Sequence, residues 1–160
     1  MTEPPRPCAA TVLGVTGSDV HCKALSLVPN RADYVSYYQR LETGGCGPRI
    51  VAATGEQICL QKHETLRHWV DERVVDGRLP DALRRAMGRE LLKLLERVHE
   101  LGFCHRDIHI RNLVVRDGAP LLADPKYAIE HRGRPCYDLA EDVPAVVELW
   151  DGGPGVMVTW

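Results

Sequence analysis

No apolar run in this 160-residue chain approaches the length of a membrane span. The start Met1-Thr2-Glu3-Pro4-Pro5-Arg6-Pro7 has no apolar stretch of the kind a secretory leader needs, so no leader is expected. Neither sign of charge dominates. The formal net charge of −2 gives no support for a nucleic-acid or anionic-membrane surface, and neither partner is expected. The six cysteines (Cys8, Cys22, Cys46, Cys59, Cys104, Cys136) form no CxxC pair. Without a leader they are expected to be reduced thiols in a cytoplasmic protein. A zinc site is not expected either. Cys104, His105 and His109 would make half a ligand set, but no second pair stands at the necessary spacing. Repeats and low-complexity blocks are also missing. What remains is enough chain for one compact domain with a real core, or for two small lobes sharing a cleft.

Hydrophobic patterning supplies the elements. Residues 1–8 are proline-rich and expected to be irregular, as are 151–160, where Gly152-Gly153-Pro154-Gly155 cannot continue a helix. Residues 9–15 and 19–27 are apolar around Thr16-Gly17-Ser18 and read as a hairpin. Asn30 is placed to cap a helix reaching about Leu41, with Tyr34, Tyr37 and Tyr38 on one buried stripe. Residues 49–54 and 57–61, joined by Gly55-Glu56, form a second expected hairpin. After Lys62-His63-Glu64 comes charged, mostly helical sequence. The clearest helix follows Pro80. Leu83, Met87, Leu91, Leu94, Leu95, Val98 and Leu101 share one face of it, and Gly102 ends it. A last helix is expected over 142–150.

Between these helices lies the segment that carries chemistry. Cys104-His105-Arg106-Asp107-Ile108-His109-Ile110-Arg111-Asn112 contains H-R-D-x-x-x-x-N. Two apolar runs follow, Leu113-Val114-Val115 and Leu121-Leu122-Ala123, separated by a turn containing Asp117-Gly118, and then Asp124. Two such runs around Asp-Gly make a β-hairpin. Its open end would set Asn112 and Asp124 side by side, where one metal ion could meet both. An acid that positions a hydroxyl, with an Asn and a second Asp as oxygen ligands for Mg²⁺, is the layout of a phosphoryl-transfer site.

These residues resemble the protein-kinase-like superfamily. Asp107-Ile108-His109-x-x-Asn112 is similar to the small-molecule branch of aminoglycoside phosphotransferases and choline and fructosamine kinases, whereas His105-Arg106-Asp107 is more typical of protein kinases. The resemblance covers roughly residues 10–150. It implies an α+β, bilobal, kinase-like fold in a single domain over 1–160, with a small β-rich N-lobe at 9–61 and a shortened, mainly helical C-lobe at 62–150. By the same resemblance, Asp107 and Asn112 are the catalytic candidates, and Asn112 and Asp124 the Mg²⁺ ligands. Val20-His21-Cys22-Lys23 resembles the strand whose lysine holds nucleotide phosphates, and Lys23, Asp124 and His109 are the candidates for holding ATP. His105 would be a buried brace bonded to backbone. Arg111 is placed toward an anionic substrate or product. In Arg134-Pro135-Cys136-Tyr137-Asp138-Leu139-Ala140, Asp138 would cap a helix and support the catalytic loop.

The chain departs from the family in four places. Only Gly14 and Gly17 precede Lys23 where G-x-G-x-x-G is usual, so the phosphate lid is abbreviated or absent. The helix after Lys23 carries no central acid, leaving Asp33 or Glu42 as its candidate partner. D-F-G becomes Asp124-Pro125-Lys126, which fixes φ and argues against a mobile Phe switch. There is no A-P-E, and only 36 residues follow Asp124. Without a Ser or Thr between Pro125 and Cys136, control by loop phosphorylation is not expected. The expected function is a minimal ATP-dependent phosphotransferase moving the γ-phosphate to a hydroxyl acceptor. That acceptor is a small molecule, which the short C-lobe favours, or a protein. Two alternatives stay open: a pseudokinase or nucleotide-binding interaction module, and a kinase whose site is completed by a partner or a homodimer mate.

Overall fold

The computed structural model describes residues 19–132. The expected strand over 9–15, the helix over 142–150, Asp138 and both irregular termini lie outside the described residues. Within them the architecture is α+β, with helices packed on small antiparallel sheets.

β1 (Val20–Ala24) runs into a 3-10 turn at Leu25–Leu27 rather than continuing as strand. The fully buried Leu25 side chain and the Leu25 N–H bond to the Glu56 carbonyl, 2.8 Å, turn the chain there. α1 (Arg31–Thr43) follows. Asn30 precedes it without a side-chain cap; its amide nitrogen donates to the Asp33 carboxylate. β2 (Ile50–Ala53) and β3 (Gln57–Gln61) form the expected hairpin, with a bulge between Ile50 and Ala52. β3 is the centre of a three-stranded sheet in the order β1-β3-β2.

In this sheet Cys22 lies directly opposite Cys59, and the two are joined by a disulfide. This overturns the expectation of six reduced thiols. Two cysteines on different strands give no CxxC signal, and only the β1–β3 register shows that they face each other. The cross-link also removes the ground for expecting a cytoplasmic setting. Cys46 carries a free thiol and is buried. Among the described residues, no helix is long and apolar enough to cross a membrane.

Beyond β3, β4 (Glu64–Thr65) leads into α2 (Leu66–Asp71), where the Thr65 hydroxyl caps the His68 N–H. α3 (Asp81–Glu100) starts right after Pro80, which fixes the entering backbone. Met87, Leu91, Leu94, Leu95 and Val98 are its buried face, each worth roughly 1.5–3 kcal/mol of burial. Leu83 stays partly exposed, so the buried stripe begins one turn later than its sequence pattern. Gly102 ends the helix with φ +89°, a backbone conformation that L side chains resist.

β5 (Phe103–Cys104) then enters the motif loop, which closes in a 3-10 turn at Ile110–Asn112. β6 (Leu113–Arg116) and β7 (Ala119–Leu122) pair through the two-residue turn Asp117-Gly118, both at positive φ, as a type I′ hairpin requires. β4 joins β6 to complete a sheet in the order β4-β6-β7. A short β8 (Ile129–Glu130) pairs with β5.

Two apolar clusters hold these elements. Leu25, Val28, Tyr34, Tyr38, Ile58 and Leu60 form the smaller one, under the first sheet. The larger is built on α3, α2 and the β6–β7 hairpin and includes Tyr37, Leu41 and Phe103. α1 contributes to both, because Tyr34 and Tyr38 share a face that Tyr37 does not.

Candidate functional site

A cleft of about 300 Å³ opens between the first sheet and the β6–β7 hairpin. Its walls include His21 and Lys23 from β1, Leu60 at the end of β3, Lys62 and His63 after it, Asn112 at the hairpin mouth, and Asp124 just past β7. Lys23, Asn112 and Asp124, distant in sequence, therefore meet in one place. The hairpin does part of this work. Leu113 pairs with Leu122, and the Ala123 N–H bonds the Asn112 carbonyl at 2.8 Å, so both chain ends reach the cleft together.

Lys23 Nζ lies 2.8 Å from Asp124 Oδ1. Neither Asp33 nor Glu42, the two acids suggested by sequence, is its partner. Asp33 accepts from Asn30, and Glu42 accepts the N–H of Ile50. Two tyrosines missed by sequence reasoning complete the group. The Tyr34 hydroxyl donates to Asp124 Oδ1 at 2.9 Å, and the Asp124 N–H donates to the Tyr38 hydroxyl at 2.7 Å. Their signal was present in the sequence as two phenols one helical turn apart on a buried stripe, since a buried hydroxyl has to find a partner. Lys126 Nζ stands 3.5 Å from the other carboxylate oxygen.

Burial alone would raise the Asp124 carboxyl. The Lys23 hydrogen bond and charge, the Tyr34 hydroxyl and Lys126 outweigh it and hold the group below its ordinary value. Burial, reinforced by Tyr38 and by the Asp124 charge, keeps the Tyr34 phenol protonated far above its usual range. Tyr38 is pushed up to about 12, chiefly by burial.

On the motif loop, Asn112 Nδ2 donates to Asp107 at two places, the carbonyl at 2.7 Å and Oδ2 at 2.9 Å. The Asn112 side-chain oxygen takes no part in these two bonds. Asp107 is tied to Asn112, and neither it nor His109 is among the residues lining the cleft. His109 Nδ1 accepts the Arg111 N–H at 3.1 Å, which assigns its proton to Nε2. Nε2 stands 3.4 Å from Asp107 Oδ1. The 3.3 Å approach of His109 Nε2 to Asn112 Nδ2 is then a contact between two hydrogen-bearing nitrogens, not a hydrogen bond.

His105 is fully buried. Its Nδ1 accepts the Asp107 N–H at 3.2 Å, and its Nε2 donates to the Ala123 carbonyl at 2.8 Å. It thus braces the motif loop against the residue before Asp124. Arg106 and Asp124 both adopt positive φ, 67° and 55°, where non-glycine residues are uncommon. This marks the two loops that carry the acids.

The remaining wall is cationic. Among the described residues lining the cleft, Asp124 is the one acid, set against Lys23, Lys62 and Arg111 with His21 and His63. Burial first, then Arg116, lowers the His63 pKa and favours the neutral ring. Away from the cleft, Glu64, His68 and Glu72 cluster along α2, with His68 Nε2 3.1 Å from Glu72. Exposed pairs of this kind contribute little.

Asp124 and Asn112 offer hard oxygen donors of the kind Mg²⁺ takes beside nucleotide phosphates. Two donors without phosphates do not fill an octahedral shell, so the residues fit the ion only together with a phosphate-bearing ligand. No protein-family model matches this chain, and no curated protein matches it.

Proposed function

We propose that the chain is a minimal ATP-dependent phosphotransferase on a protein-kinase-like bilobal fold, transferring the γ-phosphate to a hydroxyl acceptor. The observation that carries this reading is the meeting of Lys23 with Asp124 at 2.8 Å, across 101 residues, in a cleft that Asn112 also lines. A strand lysine, a hairpin-mouth Asn and a delayed Asp are the cation and the oxygen donors that a nucleoside triphosphate requires. The two separate apolar clusters, one under each wall, support a two-lobed arrangement.

In this reading Lys23 moves from Asp124 to the phosphates, where its ammonium offsets their charge. Asp107 accepts the proton of the acceptor hydroxyl, whose oxygen attacks the γ-phosphorus. The bond from that phosphorus to the bridging oxygen breaks, and ADP carries away the electron pair. Asn112 keeps Asp107 aimed through its two hydrogen bonds, and His109 Nε2 stands 3.4 Å from the other carboxylate oxygen. Mg²⁺, held by Asn112 and Asp124, would supply charge neutralisation on the phosphates. Positioning and charge account for most of such a reaction.

The test is incubation of the pure protein with γ-labelled ATP and Mg²⁺, alone and with panels of small-molecule and protein acceptors, beside a nucleotide thermal-shift assay. Label transfer is expected. Binding without any transfer would favour a second reading, a nucleotide-binding module without turnover. One observation favours that alternative: both oxygens of Asp124 already face lysine ammonium groups.

A further inference from the structure

We infer that Tyr34 and Tyr38 are positioning residues of this cleft, doing through two phenols what a helix carboxylate would otherwise do for Lys23. The inference deepens the phosphotransferase reading and rests on it. A lysine in a strand needs something rigid to aim it, and α1 offers no acid at the right place. Instead, Tyr34 is fixed by full burial, and its ring stands edge-on to Tyr38 with centroids 5.1 Å apart. The Lys23 ammonium lies 5.2 Å from the Tyr34 ring centroid, within the range of a cation–π contact. The Tyr34 hydroxyl then shares Asp124 Oδ1 with Lys23, at 2.9 and 2.8 Å. Tyr38 acts on the backbone of the same residue by accepting the Asp124 N–H, and so supports its positive φ.

This arrangement has a property that a carboxylate lacks. A helix acid would compete with phosphate for Lys23 by charge, whereas a phenol holds the ammonium by its ring face and remains neutral. When phosphate draws Lys23 off Asp124, the Tyr34 hydroxyl stays on Oδ1 and keeps the carboxylate oriented. Lys23 and Asp124 are thus coupled through α1, and loss of one hydroxyl disturbs both.

The experiment compares Tyr34→Phe and Tyr38→Phe with Tyr37→Phe, a control on the same helix whose ring packs on Phe103 in the other cluster. Mg²⁺–ATP and adenosine affinities are measured by calorimetry. Exchange of the ¹⁵N-labelled Lys23 ammonium protons is followed by NMR without ligand. Tyr34→Phe is expected to weaken Mg²⁺–ATP binding about 10-fold, the size of one hydrogen bond to a charged group, with adenosine affinity unchanged. Lys23 exchange should accelerate about 5-fold or more in Tyr34→Phe and stay at the wild-type rate in Tyr37→Phe. Equal loss for ATP and adenosine, or a Tyr34→Phe effect no larger than that of Tyr37→Phe, would overturn the inference. Wild-type protein that binds neither ligand refutes the nucleotide reading. In that case unchanged Lys23 exchange in Tyr34→Phe refutes the positioning role, and accelerated exchange upholds it.

Discussion

The imidazole of His105 spans from the Asp107 N–H to the Ala123 carbonyl, joining the loop that carries one acid to the strand end that carries the other. Each ring nitrogen meets a backbone group, so the ring serves as a fixed strut. His105→Ala would leave a part-buried amide and a part-buried carbonyl without this partner, and a void in place of the buried ring. A loss of about 3 kcal/mol in urea denaturation is expected. A variant as stable as wild type would show that the two loops are held by something else.

Asp124→Asn keeps the shape of the side chain and removes its charge. The Mg²⁺-dependent part of nucleotide binding is expected to disappear while the fold survives, as read by calorimetry with and without the metal. Equal Mg²⁺–ATP affinities for the two proteins would exclude the proposed metal pair.

The same residue predicts a pH effect. Its folded pKa lies below the ordinary value of an aspartate, so the folded state binds this proton less readily than the unfolded chain. The resulting stabilisation is present above that value and is lost as pH falls through the folded pKa. Wild type should therefore lose stability faster than Asp124→Asn on acidification below about pH 4. Parallel acid-denaturation curves would argue against a tightly paired carboxylate.

Asp107→Ala addresses turnover instead. Nucleotide affinity should stay within about 3-fold, while turnover falls on the order of 10²-fold or more, as for a positioned general base. Undiminished turnover would remove Asp107 from the chemistry.

Lys23→Ala separates phosphate recognition from base and ribose recognition. ATP affinity should drop more than adenosine affinity, because only ATP presents groups that the ammonium meets. The shared contacts cancel in the comparison. If both ligands lose affinity equally, or neither does, Lys23 is a strand lysine without a phosphate role.

Much of the fold is written in local signals of the sequence. The Asp117-Gly118 turn and the spacing of Met87, Leu91, Leu94 and Val98 are short-range properties, and both elements formed where they pointed. Contacts set by register were not legible. The Cys22–Cys59 bridge and the β5–β8 pair depend on which residues end up opposite one another across long stretches of chain. At the cleft, the meeting of Asn112 with Asp124 followed from the hairpin, but the partner of Lys23 did not. The family resemblance directed attention to acids on α1, whereas the contact came from Asp124 itself and from phenols counted as ordinary core. A stripe of Tyr34, Tyr37 and Tyr38 looks uniform in one dimension. Helical geometry sends its members to two different clusters.

The bond between Cys22 and Cys59 has a consequence for the neighbouring position. Side chains of a strand alternate between its two faces, so a slip of β1 by one residue along β3 would turn the Lys23 ammonium away from the cleft and bring an uncharged neighbour in. Hydrogen bonds between strands can re-form after such a slip, since every residue offers the same backbone groups. Two sulfurs joined covalently cannot. The cross-link therefore works as a latch on handedness of presentation: while the sulfurs stay oxidised, this strand has one available phase, and in that phase the positive charge points inward.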